Sequence, residues 1–334
     1  MRWKISRAVF VLIRLLLLPA TLAGWIAFRL GRGSNLRQEA SRTAYGVLFI
    51  RWLMHASRGR EDRAAGQLLR ALAGVPPGSL AAMMGPSIIA SRLTGFYPSL
   101  YRYPPERPMK SLSSLVGLRT AFLDQALEES LGVLQQVVIL GAGFDTRAYG
   151  MLRIHRVQVF EIDDPQTQAV KRSALERARI GAAHVRFVAA DFNRQAWIER
   201  LETVGFDRSK PTFVLWEGVS YYMERDSVCK TLAEFLTLAG GSAIAFDYAS
   251  AELVNGRYPF ETLSGRIQKR LRLADEPWTF GISTIPEARP HIETFLAANG
   301  LNLVAWEPWG RDEPDAPALG GLVVATAGRE VDDR

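Results

Sequence analysis

A run of apolar, mostly β-branched residues that ends at once in glycines is the clearest pattern along the chain. The stretch QVVILGAGFDTRAYG covers residues 136–150, in which Val137, Val138 and Ile139 suit a strand buried on both faces. Gly141 and Gly143 allow backbone angles that other residues avoid, and they let the main chain approach a ligand closely. A strand, a glycine-rich turn and a helix in succession predict a nucleotide-like ligand at the carboxyl edge of an α/β sheet.

Apolar strand-like segments alternate with helical patterns after this first strand. Four further segments read as strands, and a helical pattern follows each of the first three: residues 157–162, 184–191, 211–218 and 241–248. Alternation of this kind predicts a doubly wound parallel sheet.

The last third of the chain departs from this alternation. Residues 249–285 contain helix, aromatic residues and prolines without a strand, and they read as an insertion. After a helix near residues 286–299, the segments LNLVAWEPW and GGLVVATAG are separated only by a loop and should pair antiparallel. Five parallel strands with a closing antiparallel hairpin predict the α/β fold of class I methyltransferases rather than that of dinucleotide dehydrogenases.

The chain before the first strand is divided into two predicted regions. Residues 1–37 form a basic hydrophobic segment, and residues 38–130 form a helical cap in front of a core at 131–328. Within the cap we expect helices at 39–58, 60–72 and 117–130, with irregular structure between 73 and 109, where Pro-Pro pairs interrupt helices.

The N-terminal segment is predicted to associate with a membrane. Residues 9–28 (VFVLIRLLLLPATLAGWIAF) are interrupted only by Arg14 and Pro19, and 20 residues are long enough to span a bilayer. On a helical wheel Lys4, Arg7 and Arg14 share one face, so a helix lying in the interface is an alternative, and a buried core helix is a third. We expect a single N-terminal helix with the catalytic domain on the cytoplasmic side, and both the spanning and the interfacial arrangement remain open.

The charge distribution supports a membrane rather than a nucleic acid as partner. Residues 1–70 contain 13 Lys and Arg against three Asp and Glu, whereas the rest of the chain contains 28 against 31. A nucleic-acid-binding protein would place its basic patch on the folded module, but here the basic residues flank an apolar segment. The single cysteine, Cys229, and four scattered histidines exclude a disulfide framework and predict no metal site.

Acidic residues end three of the predicted strands. Glu161, Asp163 and Asp164 follow the second strand about 20 residues after the glycine turn, where a carboxylate can accept hydrogen bonds from both hydroxyls of a ribose. Before Pro165, Asp163 or Asp164 would also suit a helix N-cap, so one of the pair can bind the ribose while the other caps the helix.

The next two strand ends extend this pattern. Asp191 can accept a hydrogen bond from an adenine amine while Phe192 packs on the ring, and Glu217 after the fourth strand can hold an α-ammonium group. Ribose, adenine and ammonium together describe S-adenosyl-L-methionine.

These segments resemble the leucine carboxyl methyltransferase family, especially its bacterial branch of S-adenosylmethionine-dependent methyltransferases. The segments that carry the resemblance, which spans about residues 38–327, are SRTAYGVLFIRWL, GLRTAFLDQAL, QVVILGAGFDTRAY, VFEIDDPQTQAVKR, VRFVAADF, PTFVLWEGVSYYM, GSAIAFDY and PWTFGI. Two features depart from the family pattern: the leader before Gln38, and REDRAAGQLL where an acidic-proline-leucine stretch is common.

The resemblance implies roles for individual residues. It places Arg119 on the cofactor carboxylate, Gly141 under the methionine part and Asp163 on the ribose. It also places Asp191 and Phe192 at the adenine and Glu217 at the amino end of the cofactor.

The expected activity is methylation, with S-adenosyl-L-methionine as cofactor, of a carboxylate or hydroxyl on a small-molecule or lipid-like acceptor. A carboxylate acceptor needs no general base at neutral pH, whereas a hydroxyl does. No base is evident: Tyr222 is a candidate, but a buried aromatic beside the sheet explains it equally well. The cap and the insertion, with Tyr258, Phe260 and Trp278, are expected to wall the acceptor pocket.

Two other functions compete with this one. A nicotinamide-dependent oxidoreductase is consistent with the Gly-x-Gly turn, but Thr146 replaces the third glycine of the dinucleotide fingerprint. A membrane-tethered binding protein that keeps the fold without turnover is the other alternative.

Overall fold

The computed structural model describes residues 2–31, 42–72, 78–190, 196–273 and 276–328. The helices are α1 Arg2–Leu16, α2 Leu18–Gly31, α3 Arg42–Ala56, α4 Arg63–Ala71, α5 Ser79–Thr94, α6 Leu115–Ser130, α7 Pro165–Ala178, α8 Trp197–Glu202, α9 Arg225–Phe235, α10 Ala251–Asn255, α11 Glu261–Arg272 and α12 Ala288–Ala298. The strands are β1 Gln136–Leu140, β2 Gln158–Asp163, β3 Val185–Ala189, β4 Thr212–Trp216, β5 Ala243–Ala249, β6 Leu301–Pro308 and β7 Gly320–Ala327.

The chain forms two compact units, each assembled from separate segments. The first, which we call the helical unit, comprises Met1–Glu106, Gly143–Arg153 and Gln166–Ala182. The second, the sheet unit, comprises Arg107–Ala142, Ile154–Pro165 and Ala183–Arg334.

The described residues of the sheet unit contain one seven-stranded sheet in the order β3-β2-β1-β4-β5-β7-β6. The first five strands are parallel, with Val138 of β1 opposite Phe160 of β2 on one side and Val214 of β4 on the other. β7 pairs antiparallel with both β5 and β6. This is the class I methyltransferase fold, so the predicted five parallel strands and closing hairpin are confirmed.

The central strands of the sheet unit form because their side chains are buried on both faces. All five residues of β1 and of β4 are buried, as expected for central parallel strands. α6 packs against β4, β5 and β7 and carries Arg119. This packing places the Arg119 side chain among residues that follow the central strands.

The helical unit differs from the sequence prediction at its N-terminus. Instead of a single hydrophobic helix, α1 and α2 follow one another with a bend of 61°. Among the described residues no one helix is long and apolar enough to cross a membrane, although the bent pair Ile5–Leu16 and Leu18–Leu30 passes that criterion jointly by length and composition.

The prediction of irregular structure between residues 73 and 109 is wrong for α5. This helix runs for 16 residues through Pro86 and ends at Gly95, whose φ of 68° closes it with a hydrogen bond from the Gly95 amide to the Ser91 carbonyl. Ser87 and Ser91 on its buried side lie 2.7 and 3.0 Å from the Tyr101 hydroxyl. A proline normally signals a break, but here the rest of the helix is held by its packing.

Candidate functional site

The glycine turn after β1 is fixed beside the end of β2. The Ala142 amide donates a hydrogen bond of 3.1 Å to the Ile162 carbonyl. Gly141 has a φ of 63°, and a Cβ there would collide with Cγ2 of Val219. Both the backbone angle and the space therefore require glycine at this position.

Asp163 ends β2 next to this turn, as predicted. Its side chain is half-buried, and its Oδ1 accepts a hydrogen bond of 2.7 Å from the Asp164 amide. The Ala190 amide donates to the Asp163 carbonyl at 2.9 Å, so the chain after β3 passes the same strand end. Asp191 and Phe192 lie outside the described residues, and their predicted adenine contacts stay predictions.

Arg119 and Glu217 lie together in a buried ion-pair network. Nε of Arg119 donates to Oε1 of Glu217 at 2.9 Å, and the two side chains are 6% and 7% exposed. Nη1 of Arg119 donates to Oδ2 of Asp247 at 3.0 Å and to the Tyr221 hydroxyl at 2.9 Å. Among the described residues none accepts a hydrogen bond from Nη2. The guanidinium is thus held by two carboxylates and keeps a donor for a further acceptor.

The sequence reasoning did not single out Asp247. Asp247 lies in β5, is fully buried and also accepts a hydrogen bond of 2.6 Å from the Gly218 amide. Burial raises the pKa of Asp247, and the Arg119 cation partly offsets this shift. Its place in the strand FDY, two residues before the strand's end, was the available signal, since a buried strand carboxylate needs a partner.

Tyr221 is poorly suited to act as a base. Burial raises its pKa well above the usual value, and the nearby Asp247 carboxylate adds to the effect. The phenol therefore stays protonated at neutral pH and serves to orient Arg119. Tyr222, the weaker candidate for catalysis, is half-buried with its ring centroid 4.8 Å from that of Tyr221, and its catalytic role stays a prediction.

Gly143 and the FDTR residues after it belong to the helical unit. Gly143 has a φ of 42°. Asp145 binds Arg51 of α3 at 2.8 Å and Arg147 at 2.5 Å, with all three side chains buried. Arg147 therefore pairs with Asp145 inside the helical unit.

Thr146 makes a second link within the helical unit. Its hydroxyl donates to Oδ2 of Asp62 at 2.6 Å, while Oδ1 of Asp62 accepts from the Ala65 amide at 3.0 Å and caps α4. Thr146 thus ties this loop to the start of α4.

An aromatic cluster adjoins Arg119 within the sheet unit. The Tyr221 ring lies 4.8 Å from that of Trp278 and 5.9 Å from that of Trp309, measured between centroids. Of the insertion residues expected at the acceptor pocket, Trp278 joins this cluster, whereas Tyr258 is 79% exposed.

Trp309 also lines a cavity of about 550 Å³. Its other lining residues are Pro108, Met109, Lys110, Ser111, Leu112, Gly310, Arg311, Ala316, Pro317 and Leu319. The cavity therefore combines an apolar floor with two basic side chains, Lys110 and Arg311. Within the described parts of the chain no cluster of three or more His, Cys, Asp or Glu could hold a metal ion.

Comparison with known proteins agrees with this architecture. The family described as Leucine carboxyl methyltransferase matches residues 91–236. The chain is similar to the "Putative S-adenosyl-L-methionine-dependent methyltransferase YktD" of Bacillus subtilis, with 32% identity over 179 residues, which are 51% of this chain and 57% of that protein.

Two further similarities are weaker in extent or in identity. "Putative S-adenosyl-L-methionine-dependent methyltransferase SCO7813" of Streptomyces coelicolor is 33% identical over 144 residues, 42% of this chain and 51% of that protein. A solved O-methyltransferase family protein from Burkholderia thailandensis has a TM-score of 0.44 at 14% identity, over 65% of this chain and 58% of that one. The chain spans little more than half the length of the curated relatives it matches. Residues 91–236 therefore match the leucine carboxyl methyltransferase family, and the two curated proteins similar to this chain are named as S-adenosyl-L-methionine-dependent methyltransferases.

Proposed function

We propose that the chain transfers a methyl group from S-adenosyl-L-methionine to an oxygen of a small-molecule acceptor. The observation that carries this proposal is the buried Arg119, held by Glu217 and Asp247 at the sheet edge where the glycine turn also lies. The names of the family relatives support the same activity.

The residues present fit this cofactor. Nη2 of Arg119 would bind the carboxylate of the cofactor, and the negative charge of Glu217 would attract its ammonium group. Asp163 stands at the end of β2, where a ribose is held in folds of this type. Asp247 would position the site rather than touch the cofactor, because both of its oxygens already bind Arg119 and Gly218.

The bound cofactor supplies an activated methyl group on a sulfonium. The protein then has to align the acceptor oxygen and exclude water, and both tasks suit the apolar and aromatic surroundings of Tyr221. No base is required for an ionised carboxylate acceptor. A carboxylate acceptor agrees with the raised pKa of Tyr221, because a phenol that stays protonated near neutral pH cannot act as a base.

The acceptor would lie in the cavity beside Trp309. Its volume of about 550 Å³ is ample for a small molecule. Trp309, which lines it, packs against Tyr221, and the Tyr221 hydroxyl accepts a hydrogen bond from Arg119. Lys110 and Arg311 give the wall a positive charge, which Glu313 offsets in part through its 3.2 Å contact with Arg311. The wall therefore favours an apolar acceptor that carries a carboxylate over one that offers only a hydroxyl. A double substitution, Lys110→Gln with Arg311→Gln, should raise KM for carboxylate acceptors and leave cofactor binding unchanged.

Isothermal titration with S-adenosyl-L-methionine tests the cofactor assignment. Asp163→Asn should weaken binding at least about tenfold, which is about 1.4 kcal/mol. Asp164→Asn is the matched control, because it is the exposed neighbour with the same side chain and should bind like wild type. NADH is titrated in parallel.

Each result has a distinct meaning. Loss of binding in Asp164→Asn but not in Asp163→Asn would exchange the two roles. A folded wild-type chain that binds NADH, or neither ligand, would contradict the methyltransferase proposal.

A further inference from the structure

Three helices of the helical unit expose an unusual amount of apolar surface. Of the 19 large hydrophobic side chains that are exposed among the described residues, 13 lie in α1, α2 and α5. On α5, Ile89 and Leu93 are 48% and 72% exposed and are one helical turn apart, so they share a face. Surfaces that face water rarely concentrate apolar residues in this way, so this face indicates an interaction surface.

The three helices form one packed element. α1 and α2 both pack against α5. A Cβ at Gly24 of α2 would lie 2.6 Å from the carbonyl carbon of Ala82 and nearer still to the Met83 amide, so the backbones of α2 and α5 are in close contact. Since α5 is in turn bound to Tyr101 through Ser87 and Ser91, α2 belongs to the folded unit and is not a detached anchor.

The dimensions argue against a spanning helix. α1 has 15 residues and α2 has 14, so each is about 21 to 23 Å long. The hydrocarbon core of a bilayer is about 30 Å thick. The two helices could cross it only jointly, with a 61° bend and the exposed Arg14 inside the hydrocarbon, where a charge is costly.

The charges of the three helices indicate which class of partner this face fits. α1, α2 and α5 contain no Asp or Glu, and they carry five arginines and one lysine. The Arg29 guanidinium lies 4.7 Å from the ring centroid of Trp25, which is 46% exposed. Arginine beside an exposed tryptophan suits the level of lipid headgroups, where the ring is half in the apolar layer and the cation reaches phosphate. A second copy of the same face would bring only like charges together.

We propose that α1, α2 and α5 together form a surface that lies in the interface of an anionic bilayer without crossing it. Apolar side chains of all three helices enter the acyl boundary, and the arginines bind the headgroups. This proposal is independent of the proposed methyl transfer. Of the spanning and interfacial arrangements it selects the interfacial one, and it adds α5 to the membrane-contacting surface.

Vesicle flotation of the full chain tests the proposal. We expect it to float with vesicles of three parts phosphatidylcholine and one part phosphatidylglycerol, and to be released by alkaline carbonate. Arg14→Gln and Arg29→Gln should each weaken binding about fivefold, from about 1 kcal/mol per basic residue. Ile89→Ser with Leu93→Ser should weaken it about tenfold or more, from the loss of apolar area.

Ile154→Ser with Val304→Ser is the matched control. These two residues are 84% and 61% exposed and lie in the sheet unit, so this variant should float like wild type. Resistance to carbonate, with equal binding to neutral vesicles, would indicate a spanning pair and overturn the proposal. Absence of flotation would overturn it as well, and a dimer in light scattering that the α5 variant converts to monomer would assign the face to a second copy.

Discussion

The strongest prediction for stability concerns Asp145, the acidic residue of the FDTR segment. Its carboxylate binds Arg51 at 2.8 Å and Arg147 at 2.5 Å, and it also accepts from the Arg147 amide at 2.7 Å. The two arginines are 1% exposed, so Asp145→Asn removes a carboxylate that two buried cations share.

Removing one partner of a buried ion pair costs about 3 to 5 kcal/mol. Asparagine keeps the shape and one acceptor oxygen, so we expect the lower end, about 3 kcal/mol. For a unit of this size the midpoint of thermal unfolding should fall by about 6 to 12 °C. Circular dichroism or calorimetry with temperature measures this change.

Glu202→Gln is a control with the same chemistry but without burial. Glu202 binds Arg208 through contacts of 2.5 and 2.7 Å, yet both side chains are more than a third exposed. Exposed pairs contribute little, so this substitution should not shift the midpoint measurably. Equal midpoints for the two variants would refute the argument that burial makes the Asp145 contacts important.

Gly141→Ala should lower the free energy of unfolding by about 1 to 2 kcal/mol through the positive φ at this position, and by a further amount because the new Cβ collides with Val219. Adding Val219→Ala should restore only the loss that comes from the collision, as measured by unfolding in urea. The pKa of Asp145 also predicts a pH dependence: burial would raise it, but the cations beside it, Arg147 and Arg51 foremost, hold the pKa far below its usual range. The ionised Asp145 side chain therefore stabilises the fold fully above the unfolded pKa of about 3.9, and this stabilisation is lost progressively as pH falls below that value. The difference in free energy of unfolding between wild type and Asp145→Asn should be constant from about pH 8 to 5 and become smaller in more acid solution.

The sheet could be predicted from the sequence because its physical signal is local. Each parallel strand is a short apolar run, and the glycines or acids that follow β1, β2 and β4 mark the carboxyl edge. The antiparallel pairing of β6 and β7 follows from their connection, because residues 309–319 between them form a loop without a crossover helix. Because this signal is local, the candidate residues at the strand ends could be predicted, whereas the residues that contact them in the folded chain could not.

The features that were missed depend on tertiary contacts. Asp247 lies inside a strand, and only its contacts with Arg119 and the Gly218 amide reveal a function. Pro86 is tolerated within α5, since its neighbours Ser87 and Ser91 bind Tyr101 across the helical unit. The bend between α1 and α2 likewise cannot be predicted from an uninterrupted apolar run.

The GAGFDTR stretch shows why a motif can identify a family without identifying its cofactor residues. Gly141 and Ala142 belong to the sheet unit, and the requirement for glycine comes from φ and from Val219. Asp145, Thr146 and Arg147 instead bind residues of the helical unit, where an acid is needed because two arginines are buried. A chain could therefore keep D-T-R for stability after losing the cofactor. Asp145→Asn and Asp163→Asn separate these roles, because the first should lower the unfolding midpoint and the second should weaken cofactor binding.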